Sequence, residues 1–186
     1  SVEKISAGYG GHPILADVSF QLEQGCMMGI LGANGCGKTT LLKTICGILP
    51  HKGTCLLEQA VLEQLSARRM ARLVGYIPQR SGISIDISVL DVVLMGFNPR
   101  LGLLERPGRK MQDLAVQALE QVGLGGREQS NYLCLSEGQK QLCILARTLV
   151  SGSRLLLLDE PESALDFRYR HSMFNLLKAW VAQEKR

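Results

Sequence analysis

The chain has 186 residues, 46% of them hydrophobic and 20% charged, enough to bury a core without help from disulfides or a structural metal. Its 21 Lys and Arg against 17 Asp and Glu give a net charge of +4 with no block of like charge, a balance that suits phosphate ligands and does not argue for nucleic acid. No apolar run approaches the length of a membrane span, and the N-terminal stretch lacks a basic start followed by an apolar segment. The expectation is a soluble chain with no direct membrane insertion, so that any membrane role must come through a partner. The six cysteines, at 26, 36, 46, 55, 134 and 143, show no Cys-x-x-Cys spacing. They read as reduced, small hydrophobes of a cytosolic protein, with Cys36 the one placed where oxidation could matter.

In chain order, residues 1 to about 80 alternate short β-like runs with one helix. The runs include Val18 to Leu22, Cys26 to Leu31 and Val74 to Ile77, and the helix is expected from Thr40 to Gly47. From about 86 to 150 strand signals vanish. Ser88 with Asp91 forms a capping-box pattern opening a helix to about Gly96, a second helix is expected from about Lys110 to Val122 before Gly123, and a third from about Ser136 to Val150 after a loop over Gly125 to Tyr132. Leu155 to Leu158 returns to the all-apolar pattern of a buried parallel strand, followed by a C-terminal helix. The predicted architecture is an α-helical insertion, residues 86–150, in an α/β core made of 1–85 and 151–186. His12 and His51 lie in turn-like surroundings and are expected to be solvated.

The stretch Gly32-Ala-Asn-Gly-Cys-Gly-Lys-Thr39 fits Gly-x4-Gly-Lys-Thr and stands between an apolar run and a helical one. Glycines at 32, 35 and 37, with Asn34 and Cys36 between them, let backbone N–H groups curl around phosphates, and the following helix N-terminus adds partial positive charge. In this chemistry Lys38 bridges β and γ phosphates, Thr39 ligates Mg²⁺ and Thr40 touches the α phosphate. Leu155-Leu-Leu-Leu-Asp159-Glu160 is an apolar strand ending in two acids, which brings carboxylates to the edge of the sheet where ligands of open α/β folds bind. Asp159 is expected to hold Mg²⁺ through water, and Glu160 to act as general base on the attacking water.

Leu135-Ser136-Glu137-Gly138-Gln139 narrows the class. Ser136 and Gln139 form a plain Ser-x-x-Gln capping box, and a helix start offering Ser136, Gly138 and Gln139 is also a second anion site. The stretch resembles the LSGGQ signature of the ATP-binding-cassette (ABC) family at four of five positions. That resemblance implies an α/β P-loop NTPase (RecA-like) core with a small antiparallel β-subdomain and an α-helical signature subdomain. It further implies ATP and Mg²⁺ as cofactors, and a head-to-tail dimer in which the signature of one subunit faces the nucleotide of the other. By the same resemblance Tyr9, in Gly8-Tyr9-Gly10-Gly11, is the aromatic that stacks on adenine. Gln79 is the loop glutamine that reaches Mg²⁺ and the attacking water, and Asp166, in Ser163-Ala-Leu-Asp166, belongs to the loop coupling the two sites.

Three features depart from the family pattern, one of them Glu162 in place of the usual threonine after the acid pair. Glu137 replaces a glycine, and a carboxylate about 6 Å from a phosphate is opposed by roughly 3 kcal/mol per unit charge at an effective dielectric of about 20. The favoured reading is that the side chain turns away and the acid complements the helix dipole. The family also carries a switch histidine at the end of the next core strand, which the sequence to Arg186 does not reach; His171, on the predicted helix after Asp166, is not a substitute. The expectation is therefore ATP binding better than hydrolysis, with one edge of the sheet lacking.

Ser88 to Gly96 with Pro99, Leu101 to Leu104 and Ala118 to Leu124 resembles the ATPase subunits of iron-siderophore, haem and vitamin B12 importers. This implies a peripheral position on the cytoplasmic face of the inner membrane. It also implies contact with separate permease subunits through about residues 79–104, with Val92 to Leu104 as coupling surface. The alternatives are a non-hydrolysing nucleotide-sensing module and a non-membrane ABC ATPase; the latter is expected to carry a coiled-coil insertion or second cassette, and neither is present.

Overall fold

The computed structural model describes residues 1–79, 82–102, 104–161 and 167–183. Strands β1 (Val2–Tyr9) and β2 (His12–Phe20) form an antiparallel hairpin. The tight turn between them falls on Gly10 and Gly11, both at positive φ, a region open to glycine at little cost. β1 also pairs antiparallel with β3 (His51–Leu57), which turns back through the short β4 (Ala60–Val61), so the first sheet runs β2-β1-β3-β4. Val2, Ile5 and Ala7 of β1 point inward with Leu15 and Cys55. They meet Leu41, Leu42 and Ile45 of helix α1 (Lys38–Ile45) in one core cluster that also holds Leu62, Val74 and Leu157.

The parallel pair is the other half of the frame. β5 (Val74–Ile77) lies beside β6 (Leu155–Leu158) in strict register, Val74 opposite Leu155 and Ile77 opposite Leu158. Everything between these two strands in sequence is the crossover. It holds α3 (Val89–Leu94), α4 (Arg109–Gln121) and α5 (Glu137–Val150), whose inner faces close a second cluster around Val89, Val92, Val93, Ala115, Leu119, Ile144 and Ala146. Ser88 caps α3 by accepting from the Asp91 N–H at 3.0 Å. α4 buries Ala115, Ala118 and Leu119 at helical spacing and stops at Gly123, at φ 78°. α6 (Phe167–Gln183) joins the same cluster through Met173 and Leu177.

Three expectations are corrected here. A second helix, α2 (Ala67–Leu73), lies within the first 80 residues; its N-cap Ser66 accepts from the Arg69 N–H, and none of its residues is fully buried, Met70 and Leu73 packing partly against the first cluster, so its apolar signal is short and set among Arg68, Arg69 and Arg72. Cys26 to Leu31 forms no strand: among the described residues no other segment hydrogen-bonds to it as a ladder. Its apolar side chains stand open, Leu31 at 96% exposure. A buried-strand pattern needs partners on both sides to become a strand. His51 is not solvated, its side chain being 7% exposed, whereas His12 is exposed as expected.

Of the six free cysteines, Cys55 and Cys143 are buried, Cys46 is half-buried, and Cys26, Cys36 and Cys134 are exposed, so the reading as small hydrophobes holds for only part of the set. Burial pushes the Cys46 and Cys143 thiols up to about 12. Among the described residues no helix is long and apolar enough to cross a membrane.

Candidate nucleotide site

The glycine loop runs directly into α1. Gly37 is the N-cap residue, at φ 103° in the left-handed region, and a Cβ there would stand 2.9 Å from the Leu15 side chain and 3.0 Å from Ile14. Only glycine meets both conditions. Gly35 is also at positive φ, 80°. The loop closes on itself by a Cys36 N–H to Ala33 carbonyl bond of 3.3 Å, and a Cβ at Gly32 would meet Cys36 Sγ at 2.6 Å.

Lys38, the first residue of the helix, folds its ammonium back over this loop and donates to the Gly32 carbonyl at 2.9 Å and the Ala33 carbonyl at 3.1 Å. A lysine held by two carbonyls at the mouth of an N–H-lined loop is positioned to exchange them for phosphate oxygens. Its Nζ also stands 4.0 Å from Glu160 Oε1. Thr39 Oγ1 donates to Asp159 Oδ1 at 2.8 Å, joining the start of α1 to the end of β6 across 120 positions of sequence. The pair offers oxygen donors alone, which suits a hard divalent ion such as Mg²⁺. Asp159 is buried at 4% exposure; its second oxygen accepts from the Tyr76 hydroxyl at 3.1 Å, and its N–H donates to the Ile77 carbonyl. Burial, and then the Asp159 carboxylate, push the Tyr76 phenol well above its usual range.

Glu160 follows at φ 48°, a left-handed conformation unusual for a non-glycine residue. Gln79 Nε2 donates to its Oε2 at 2.9 Å, while the Gln141 side chain of α5 donates to the neighbouring Pro78 carbonyl at 3.3 Å. Thus Lys38, Thr39, Gln79, Asp159 and Glu160, drawn from three distant stretches, form one continuous set of contacts. Tyr76 is the member that sequence reasoning passed over. A lone tyrosine in a short apolar strand reads as core, and only its place opposite Leu157, two residues before Asp159, hinted otherwise.

The remaining predicted residues lie outside that set. Tyr9 ends β1, 47% exposed. Thr40 is buried on the inner face of α1, its carbonyl accepting from the Thr44 hydroxyl. Asn34 and Cys36 are exposed on the loop. Ser136 and Gln139 build the capping box at the start of α5, with Gln139 N–H to Ser136 Oγ at 3.3 Å and Ser136 N–H to Gln139 Oε1 at 3.1 Å; Gly138 is on the first turn. Glu137 pairs with Lys140 at 2.7 Å and is 74% exposed. Asp166, with the rest of 162–166, lies outside the described residues. In Val92 to Leu104 the apolar residues Val92, Val93, Leu94, Phe97 and Leu101 are buried in the helical cluster. Among the described residues of 79–104, the large hydrophobics left exposed are Ile85, at 59%, and Leu104, at 95%.

A glycine loop opening a helix, with the Thr of the loop bonded to an acid at the end of a parallel strand, defines a P-loop nucleotide-binding fold. The chain belongs to the ABC transporter family, whose model matches residues 15–163. It is 37% identical over 186 residues to the zinc transport system ATP-binding protein TroB of Treponema pallidum, covering 99% of this chain and 68% of that protein. It is 40% identical over 179 residues to the hemin import ATP-binding protein HmuV of Bordetella pertussis, covering 91% and 67%. Among solved structures it is similar to an inward-facing ABC transporter described as metal-chelate type, with TM-score 0.82 and 32% identity over 98% of this chain and 68% of that one.

Proposed function

We propose that the chain is the ATP-binding and ATP-hydrolysing subunit of an ABC importer for a metal or metal chelate, driving transport through separate permease subunits and acting as a head-to-tail pair on the inner membrane surface. The observation that carries this reading is the linked set Thr39–Asp159 and Gln79–Glu160 closing on Lys38. The kinship with zinc and hemin import subunits supports the importer class. Iron-siderophore and cobalamin cargo belong to the same metal-chelate proposal.

In this mechanism the loop N–H groups from Gly32 to Thr39 and the Lys38 ammonium take the phosphates of ATP, and Tyr9 takes the adenine. Thr39, Asp159 and Gln79 would hold Mg²⁺, which would supply charge neutralisation at the phosphates. Glu160 accepts the proton of the attacking water. Gln79 aims that carboxylate by donating to one of its oxygens, so the other keeps its basic lone pairs for water. Lys38, near Glu160, stabilises the charge that builds on the transferred group. Ser136, Gly138, Gln139 and Asp166 serve the site of a second copy, and Glu137, held by Lys140, faces away from that role.

The test is Mg²⁺-dependent ATP turnover and nucleotide binding, measured side by side for the wild type, Glu160→Gln and Lys38→Ala. Glu160→Gln should keep nucleotide affinity and lose at least about 100-fold in turnover; Lys38→Ala should lose affinity as well. Wild-type turnover indifferent to Glu160→Gln would sink the assignment of the base. Binding with no turnover in the wild type would instead favour a sensing role.

A further inference from the structure

The far end of the first sheet holds three side chains of ligand type that the nucleotide set does not use. His51 and Cys55 stand four positions apart on β3, on one face of the strand. Glu63, in the 3₁₀ turn Leu62–Gln64 after β4, folds back onto them. His51 nitrogen, Cys55 Sγ and a Glu63 carboxylate oxygen all lie within 4.8 Å of one another. Cys55 is 1% exposed, the His51 side chain 7% and the Glu63 side chain 29%, so the corner is lined by protein and opens to solvent along the carboxylate.

The hydrogen bonds of the corner are unusual for a structural histidine. His51 Nε2 faces Glu63 Oε1 at 2.9 Å while Nδ1 faces the Leu49 carbonyl at 3.4 Å. Both partners are acceptors, and a neutral imidazole has only one N–H to give. The short contact between Nε2 and the carboxylate can be bridged by an imidazole N–H or by a metal ion. With Nδ1–H on a backbone carbonyl, Nε2 is left as the ligand nitrogen, the arrangement that orients metal-bound histidines. The Cys55 N–H, donating to Glu63 Oε1 at 2.6 Å, holds the second ligand in the same way.

We propose that His51 Nε2, Cys55 Sγ and the Glu63 carboxylate form a site for a divalent transition metal of the zinc class, with water as fourth ligand. Burial and the Glu63 carboxylate push the Cys55 thiol up to about 12, so a metal would bind here with release of its proton; one nitrogen, one sulfur and one carboxylate then suit zinc-like ions, whereas Mg²⁺ and Ca²⁺ take oxygen sets. Bonds of about 2.0 to 2.3 Å put tetrahedral ligands about 3.5 Å apart, so the widest separation here closes by little more than about 1 Å through side-chain rotation. The site is separate from the nucleotide set and does not depend on the function proposed above.

Chelator-stripped protein titrated with Zn²⁺ against a chromophoric competitor tests this directly, with Co²⁺ as spectroscopic substitute. One Zn²⁺ per chain is expected, weakened at least about 100-fold in His51→Gln, Cys55→Ser and Glu63→Gln. The Co²⁺ form should show a thiolate charge-transfer band that Cys55→Ser abolishes, and Zn²⁺ should raise the melting temperature of the wild type but not of the three ligand variants. The same titration on a chain with the exposed Cys26, Cys36 and Cys134 changed to serine separates this corner from adventitious thiol binding; binding retained there supports the site, and binding lost there overturns it. No binding by the wild type, or binding indifferent to His51→Gln in a variant that melts normally in chelator, also overturns it.

Discussion

Glu160 holds the least comfortable backbone in the site, at φ 48°, a strain of order 1–3 kcal/mol that persists only where its surroundings fix it. Gln79 is one of those surroundings, since its amide donates to the Glu160 carboxylate. Gln79→Ala should therefore lower turnover by about tenfold or more while nucleotide affinity changes little, a split that single-turnover kinetics and equilibrium binding will resolve. Tyr76→Phe takes one hydrogen bond from the buried Asp159 carboxylate. Its expected cost is about 1.5–3 kcal/mol of stability, read from urea unfolding at unchanged m-value. At this scale the residue types with enforced chemistry were legible. Gly-x4-Gly-Lys-Thr and an acid pair after an apolar run each name their own task. Tyr76 and the His51 corner were not, because a tyrosine, a histidine and a cysteine each have an ordinary structural use, and only the register of β1, β3 and β5 decides which side chains meet.

Two helix starts are legible in the sequence because a cap precedes a sustained apolar period, whereas Ser66 caps α2 in the same way before only a short one. Ser88 and Ser136 mark the starts of α3 and α5, and Ser136→Ala should cost about 1 kcal/mol of stability, measured by thermal or urea unfolding. Glu137→Ala, beside it, should change stability by less than about 0.5 kcal/mol, its ion pair with Lys140 being largely in solvent. Close approach was invisible in the sequence. Gly96, at the end of the α3 segment, lies so near α5 that a Cβ would stand 2.1 Å from the Arg147 carbonyl and 2.7 Å from the Val150 side chain. Gly96→Ala is expected to destabilise by about 1–3 kcal/mol or more through forced separation of the two helices, visible as a lower urea midpoint. Helix α2 is hard to read in the sequence because it is seven residues long, carries Arg68, Arg69 and Arg72, and packs only partly on the core through Met70 and Leu73. The segment Cys26 to Leu31 was over-predicted because its pattern fits a strand while ladder partners, which lie elsewhere in the sequence, carry no local signal.

At the scale of the molecule, two hydrophobic clusters share the β5–β6 pair: Ile77 belongs to the helical cluster, Val74 and Leu157 to the one under the first sheet. A second connection is polar. Arg68 and Arg72, on α2, donate to the Pro99 carbonyl, Arg72 at 2.6 Å, and Arg68 also donates to the Leu101 carbonyl. α2, packed on β5 and on the first cluster through Met70 and Leu73, thereby holds the loop after α3. Replacing both arginines by alanine should speed amide exchange in 97–101 while the β5–β6 amides keep their protection.

The open run from Met27 to Leu31 has a consequence for handling the chain by itself. Met27, Met28, Ile30 and Leu31 are all substantially solvent-exposed, and their backbone offers donors and acceptors that no ladder engages among the described residues. Such a stretch is a template for intermolecular pairing. Colloidal behaviour should follow: light scattering that grows with protein concentration and falls when Leu31 is changed to lysine, a charge on the outer face that leaves the glycine loop next to it intact.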